Sequence, residues 1–369
     1  MGAVTDERSA WIALAHAVEP GEPDVGGLVA ERGPVEVAEM IAAGRSGLRS
    51  GPGLQARLAG FDAQAAADRA QRCGARILTP ADSGWPAQLA DLGPRAPAAL
   101  WVAGAGDLRL LALRSLAVVG ARACTHYGEE IACSWAATAA EQGWNIVSGA
   151  AYGIDAAAHR GALSAGGATV AIVAGGVDVA YPRAHVALLD AIRADGLVVS
   201  ETPPGEPVRR QRFLSRNRVI AALGRATLVV EAAFRSGTAA TAHAAASMNR
   251  PVLAVPGPVT SPASAGCHRM IRDGEALCVV DVDDVLGLLD LRAMPAEEHR
   301  APESTAWDRL ADRERRVLDA LPARGGLDVD AVVRAAAIAP IDAIAALAIL
   351  QATGLAREDS GRWRACAVR

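Results

Sequence analysis

A doubly wound α/β sheet is the fold that the sequence predicts for its central half, and three observations predict it. From Ser115 onward, apolar runs of five to seven residues alternate with helix-length, Ala-rich amphipathic stretches. The runs are apolar throughout, without the in–out alternation of a sheet that has one wet face, so both faces are covered. Small residues recur just after the runs, where a parallel strand turns into its helix. Together these give a Rossmann-like core over residues 115–290.

In chain order, residues 1–70 read as short helices, such as "DERSAWIALAHAV" and "PVEVAEMIAAG", interrupted by "EPGEPD" and "GPG". Residues 71–114 are rich in Pro and Gly and read as an irregular connecting extension. The core strands are expected at "SLAVVGA" (115–121), "NIVSGAA" (145–151), "TVAIVAGG" (169–176) and "GLVVSE" (196–201). Three more follow at "ATLVVEA" (226–232), "PVLAVPG" (251–257) and "ALCVVD" (276–281). Residues 291–306, "LRAMPAEEHRAPESTA", have the composition of a linker. Residues 307–369 hold three helical patterns and a polar hairpin candidate, the ingredients of a winged-helix domain. Its presumed recognition helix, 340–352, offers Ile, Ala, Leu, Asp342 and Gln351. That composition suits protein contact or packing better than the reading of bases and phosphates.

Composition removes several function classes. All 37 basic residues are arginine, which excludes a lysine-bearing phosphate loop, a Schiff-base lysine and pyridoxal phosphate chemistry. The six cysteines are scattered without zinc-site spacing, so no metal and no cofactor is expected. No apolar run reaches the roughly 18–20 residues that span a bilayer. The N-terminus lacks a basic segment followed by an apolar stretch. The expectation is a cytoplasmic protein with no membrane partner.

Ligands of open parallel sheets bind beyond the carboxyl ends of the strands. There the sequence places Gly120-Ala121-Arg122, then Ser148-Gly149 through Gly153-Ile154-Asp155, and later Ser236-Gly237-Thr238. Backbone amides in such turns, each before a helix N-terminus, can form a phosphate-binding rim. The first turn, "GARACTHYG", is not the GxGxxG of a dinucleotide site. "EAAFRSGTAATA" resembles the glycine turn of nucleotide phosphoribohydrolases of the lysine-decarboxylase-like group, yet Thr241 stands where their catalytic glutamate belongs. This enzyme is the alternative reading. Asp155 and His159, four residues apart, read as a helix cap and its satisfied neighbour rather than a catalytic dyad. Glu201 and Glu231, at strand ends, read as structural partners for nearby arginines.

"RRQRFLSRNR" places five arginines, Arg209, Arg210, Arg212, Arg216 and Arg218, around Phe213 in a chain of net charge −4. The segment precedes a core strand and should overhang the same sheet edge. Five cations suit an extended run of phosphates better than one nucleotide. A ring flanked by arginines can stack a base of a single strand, or it can anchor its own loop.

The motifs "VVGARACTHYG", "IVSGAAYGIDAAAHRGAL", "GGVDVAYP", "VSETPPG", "FLSRNRVIAALGRATLVVEAAFRSGTAATAHAA" and "RPVLAVPGPVTSPASAGCHRMIRDGE" occur in the order of the DNA-processing protein A family (DprA/Smf), which the chain resembles over 115–286. The resemblance implies a non-enzymatic protein that binds and protects single-stranded DNA and helps to load a RecA-type recombinase onto it during DNA uptake or recombination. It implies a homodimer, an N-terminal helical (SAM-like) domain and a C-terminal winged helix. By motif, the DNA-contacting residues would be Gly120, Arg122, Ser148, Gly149, Gly153, Phe213, Arg216, Asn217, Arg218, Ser236, Gly237 and Thr238. The chain departs from the family pattern at Leu214, where proline is usual, and at His268, where asparagine is usual.

Overall fold

The computed structural model describes residues 6–234, 237–290 and 310–366; Ser236 and the segment expected as a linker, 291–306, lie outside them. The chain divides into two compact units, 1–293 and 294–369.

Five helices open the first unit: α1 (Glu7–Ala17), α2 (Pro23–Arg32), α3 (Pro34–Ala42), α4 (Gly51–Ala59) and α5 (Ala63–Arg72). Asp6 caps α1 through the Ser9 amide, and Asp62 caps α5 through the amides of Gln64 and Ala65. Proline in the first turn of α2, α3 and α4 presets φ where an amide would lack a helical partner anyway. Leu14, Val37, Ile41, Leu54 and Leu58 meet between them.

The sheet has nine strands: β1 (Ala75–Leu78), β2 (Leu100–Ala103), β3 (Ser115–Gly120), β4 (Asn145–Ser148), β5 (Thr169–Val173), β6 (Leu197–Ser200), β7 (Ala226–Val230), β8 (Val252–Ala254) and β9 (Leu277–Cys278). Their order is β1-β2-β6-β5-β4-β3-β7-β8-β9. From β6 to β9 every neighbouring pair is parallel, while β1–β2 and β2–β6 are antiparallel. The two antiparallel strands correct the expectation of irregular chain over 71–114. Each is four residues long amid Pro and Gly. Pairing with β6 and full burial of β2 make them strands, and neither is a local property.

The connecting helices are α6 (Leu108–Leu113), α7 (His126–Glu141), α8 (Ile154–Ser164), α9 (Val186–Asp195), α10 (Arg210–Ser215), α11 (Asn217–Leu223), α12 (Thr238–Ser247), α13 (Ala265–Arg272) and α14 (Val282–Leu289). Alternate strand residues serve opposite faces. Leu116, Val118, Ile146 and Leu228 meet α7 and α8 through Trp135, Ala136 and Ile154. Ala117, Val119, Val147 and Val229 meet α11 and α12 through Val219, Ile220 and Ala245. Strands β3 to β6 step outward in one direction, and β7 returns to the other side of β3. The order therefore reverses between β3 and β7, which is where a doubly wound sheet opens a crevice.

The second unit contains α15 (Asp312–Ala320), α16 (Val329–Ala336), α17 (Pro340–Ala352) and an antiparallel hairpin of β10 (Ala356–Asp359) and β11 (Arg362–Ala365). Val317, Val332, Leu347, Leu350 and Trp363 form its core. The outer side of α17 exposes Ile341, Ile344 and Ile349. Among the described residues no single helix is long and apolar enough to cross a membrane.

Candidate nucleic-acid interface

A cleft of about 480 Å³ lies at the carboxyl ends of β3 and β7, at the point of strand reversal. It brings together Gly120, Arg122, Phe213, Arg216, Asn217, Gly237 and Thr238, seven of the residues expected from sequence. They come from the end of β3 and the turn after it, from α10, α11 and the residue between them, and from the turn into α12 with its first residue. Thr238 Oγ1 donates to the Gly120 carbonyl at 3.1 Å, and Asn217 Nδ2 donates to the Gly237 carbonyl at 3.3 Å, so the first and last turns are tied across the cleft.

The first turn is held from below by Glu231. Its carboxylate accepts from the Thr125 amide (2.8 Å) and Thr125 Oγ1 (2.6 Å), and its carbonyl accepts from the Ala121 amide. Gly128 leaves room for that carboxylate, since a Cβ there would overlap Oε2. Glu231 was expected to pair with arginine; it anchors the α7 N-terminus instead.

Arg216 forms the base of the cleft. Its side chain is 6% exposed, Nη1 donates to the Ile172 carbonyl at 2.8 Å, and Nη2 lies 3.9 Å from Asp155 Oδ2. Among the described residues its Nε has no hydrogen-bond partner. Burial lowers the guanidinium to about 10, against the opposing pull of Asp155, so it remains a cation at neutral pH. Burial likewise raises the Asp155 carboxyl, opposed by Arg216 and by the amides of Ala151 and Gly149. A desolvated cation with an unused donor attracts an anion more strongly than a hydrated one does.

Gly149 does not touch the cleft; it makes Arg216 possible. A Cβ at Gly149 would overlap Nη1, Cζ and Nη2 of Arg216. Gly153, at φ +75°, packs against the Ala121 and Arg122 carbonyls, where a side chain would collide. Ser148 is buried and donates to the Val118 carbonyl at 2.6 Å. These three residues support the rim from beneath. For Ser148 this corrects the expectation of direct contact, because its hydroxyl proton is committed inside the sheet.

The five arginines around Phe213 separate into different tasks. Arg218 is buried, bidentate to Glu201 at 2.6 Å and 2.6 Å, and also donates to the carbonyls of Arg95 (2.7 Å) and Ser215 (2.8 Å). It faces the interior, which corrects its placement on the rim and bears out Glu201 as a structural partner for arginine. Arg209 and Arg212 turn toward Glu19. Arg210 is exposed and lines the cleft; the sequence placed it at this edge with the other four arginines, although the residues carried over by motif did not include it.

Phe213 is half-buried. The Arg122 guanidinium carbon lies 5.2 Å from its ring centre, and the exposed Tyr181 ring lies 5.3 Å away at a tilt of 57°. Asp155 and His159 do not pair. His159 Nδ1 lies 2.7 Å from Thr169 Oγ1, which itself donates to the Ile146 carbonyl; His159 is therefore the donor, and its buried Nε2 has no partner among the described residues. Burial, reinforced by Arg216, pushes His159 down to about 3. Asp155 stands at the second position of α8, behind Gly153 as cap, and orders the preceding loop through the Gly149 amide.

Comparison with known proteins agrees with this architecture. The family model described as DNA recombination-mediator protein A matches residues 76–290. A putative DNA processing protein DprA of Mycobacterium tuberculosis is 42% identical over 365 residues, covering 96% of this chain and 93% of that protein. The crystal structure of DNA processing protein A from Streptococcus pneumoniae superposes with a TM-score of 0.65 at 33% identity, over 75% of this chain and 97% of that one. The Helicobacter pylori protein of the same name, studied for its single-stranded DNA binding mode, shares the fold at a TM-score of 0.53 and 24% identity, over 59% of this chain and 98% of that one. With the matched region running from the first strand of the sheet to its last helix, the chain belongs to the DNA recombination-mediator protein A family.

Proposed function

We propose that the cleft binds single-stranded DNA, and that the protein shields the strand and passes it to a RecA-type recombinase. The observation that carries this reading is the convergence in one cleft of a desolvated guanidinium (Arg216), two further arginines (Arg122 and Arg210) and an accessible ring (Phe213). Phosphates meet the arginines, and a splayed base stacks beside Phe213. A duplex cannot offer its bases in this way, so the preference is for single strands. The Helicobacter pylori protein, a fold relative, binds single-stranded DNA. For this chain the support is the cleft itself together with its family.

A non-enzymatic role fits the same site. Among the described lining residues the only carboxylate is Asp155, which is occupied by two amides and Arg216. Thr241, where the phosphoribohydrolase glutamate would stand, is buried and offers no general acid or base. Membership in a family of recombination mediators supports delivery to the recombinase. Action as a cytoplasmic homodimer completes the proposal, on the family resemblance, and so does a winged-helix role for the second unit in protein contact, which the apolar outer side of α17 supports.

Fluorescence anisotropy of labelled oligothymidine, across a salt series and against a duplex of equal length, tests the reading. Two or three phosphates neutralised by Arg122, Arg210 and Arg216 give a slope of log affinity on log salt of about −1.4 to −2.1. Equal affinity for the duplex, or none for either, refutes it. Release of free base from nucleoside monophosphates would instead favour the hydrolase.

A further inference from the structure

Glu19, in the connection between α1 and α2, gathers three arginines on one carboxylate. Its Oε1 accepts from Arg57 Nη1 at 3.2 Å, Arg209 Nη1 at 3.2 Å and Arg212 Nη2 at 3.1 Å, while Oε2 accepts from Arg212 Nε at 2.9 Å. The Arg212 pair is thus bidentate, and its side chain is only 8% exposed. The hydrogen bond from Arg212, more than the charges of Arg57 and Arg209, holds the Glu19 carboxyl below its ordinary value. Glu206 lies further out, 3.4 Å from Arg212 and 3.8 Å from Arg209.

Arg212 directly precedes Phe213 in α10, a helix of six residues. A helix that short has no stability of its own and takes its position from what it touches. On the cleft side the Phe213 ring lies against Arg122 and Tyr181, both exposed. On the other side Arg212 is buried against the N-terminal helices. α10 is therefore held at two places: by Arg212 on Glu19, and by the buried Arg216 that follows its last residue.

We propose that Glu19 is a positioning residue for the cleft: through Arg212 it holds α10 so that Phe213 stays presented to a base. This gives the N-terminal helices a part in DNA recognition although they do not line the cleft. Without Glu19, three guanidinium groups face one another with Glu206 as the remaining carboxylate near Arg209 and Arg212, and α10 loses the anchor next to Phe213 while keeping the one at Arg216. The proposal rests on the single-strand reading, but part of its test does not.

Hydrogen exchange of the amides of 210–215, measured without DNA, should quicken in Glu19→Ala and, to a smaller extent, in Glu19→Gln, which keeps the shape and removes the charge. Affinity for oligothymidine should fall about tenfold in Glu19→Ala, the size of one lost base stack. In a Phe213→Ala background the same change should cost no more than about twofold, because the ring it positions is already gone. Unchanged exchange in both Glu19 variants, or a full tenfold loss in the Phe213→Ala background, overturns the proposal. If the unaltered protein ignores single strands, the functional reading fails, while the exchange measurement still decides whether Glu19 holds α10. Should Glu19→Ala not fold, Glu19→Gln carries both measurements.

Discussion

An alanine at Gly149 would put a methyl group into the space that the Arg216 guanidinium fills, overlapping Nη1, Cζ and Nη2 together. Arg216 has no free direction of retreat, since it is buried and bound to the Ile172 carbonyl at 2.8 Å. Either the loop after β4 shifts, straining the hydrogen bond that the Gly149 amide donates to Asp155, or the guanidinium leaves. Overpacking costs about 1–3 kcal/mol. The broken charge-assisted hydrogen bond to Ile172 adds about 1.5–3 kcal/mol. Gly149→Ala should therefore destabilise the first unit by about 2.5–6 kcal/mol, read as a lower midpoint at unchanged slope in denaturant. With Arg216 displaced, the salt slope for oligothymidine should flatten by about 0.7. Gly27→Ala is the control: it lies inside α2, has nothing within 4 Å of the added atom, and should gain up to about 1 kcal/mol. A Gly149→Ala protein with the original midpoint and salt slope would refute the placement of Arg216 as the fixed base of the cleft.

Two further outcomes follow from the buried charges. Arg218→Ala leaves Glu201 buried and unpaired, so it should cost about 3–5 kcal/mol of stability, measured by denaturation, with an unchanged salt slope. A slope one phosphate shallower would return Arg218 to the rim. His159 is pushed down to about 3 when folded, so below its ordinary value of 6.5 the unfolded chain binds a proton that the folded chain refuses. Stability is then complete above pH 6.5 and falls as pH drops, by about 1.5 kcal/mol between pH 6.5 and 5 from this residue. Burial shifts His16 in the same direction, so it adds to the slope. His159→Gln should remove the His159 share, measured by denaturation at the two pH values; an unchanged pH dependence would contradict its burial in neutral form.

The parallel strands could be read from the sequence because burial on both faces writes itself as unbroken apolar runs. "LWVA" is no less apolar, yet Leu100–Ala103 went unrecognised: four residues carry no period, and its partner β6 lies nearly a hundred positions away. Similarly, the cleft was legible as a set of turns, but a list of arginines does not say which of them find carboxylates. Arg216 and Arg218 stand two positions apart in the same motif, one at the base of the cleft and one turned inward, and only the placement of Glu201 and Gly149 distinguishes them. Gly149 read as an open phosphate loop because glycine looks alike whether it admits a ligand or a neighbouring side chain. Glu19 gave no signal, being almost two hundred residues from Arg209 and Arg212.

The antiparallel pair at the edge of the sheet decides where this protein can be cut. A fragment starting at Ser115, where the parallel pattern begins, would strip β2 from β6 and leave Leu197–Ser200 as a bare apolar edge, a template for sticking to other chains. It would also take away the Arg95 carbonyl on which Arg218 rests. The shortest fragment that keeps this edge covered therefore begins near residue 75, one position from where the family match starts, and it still gives up Glu19 and its hold on Arg212.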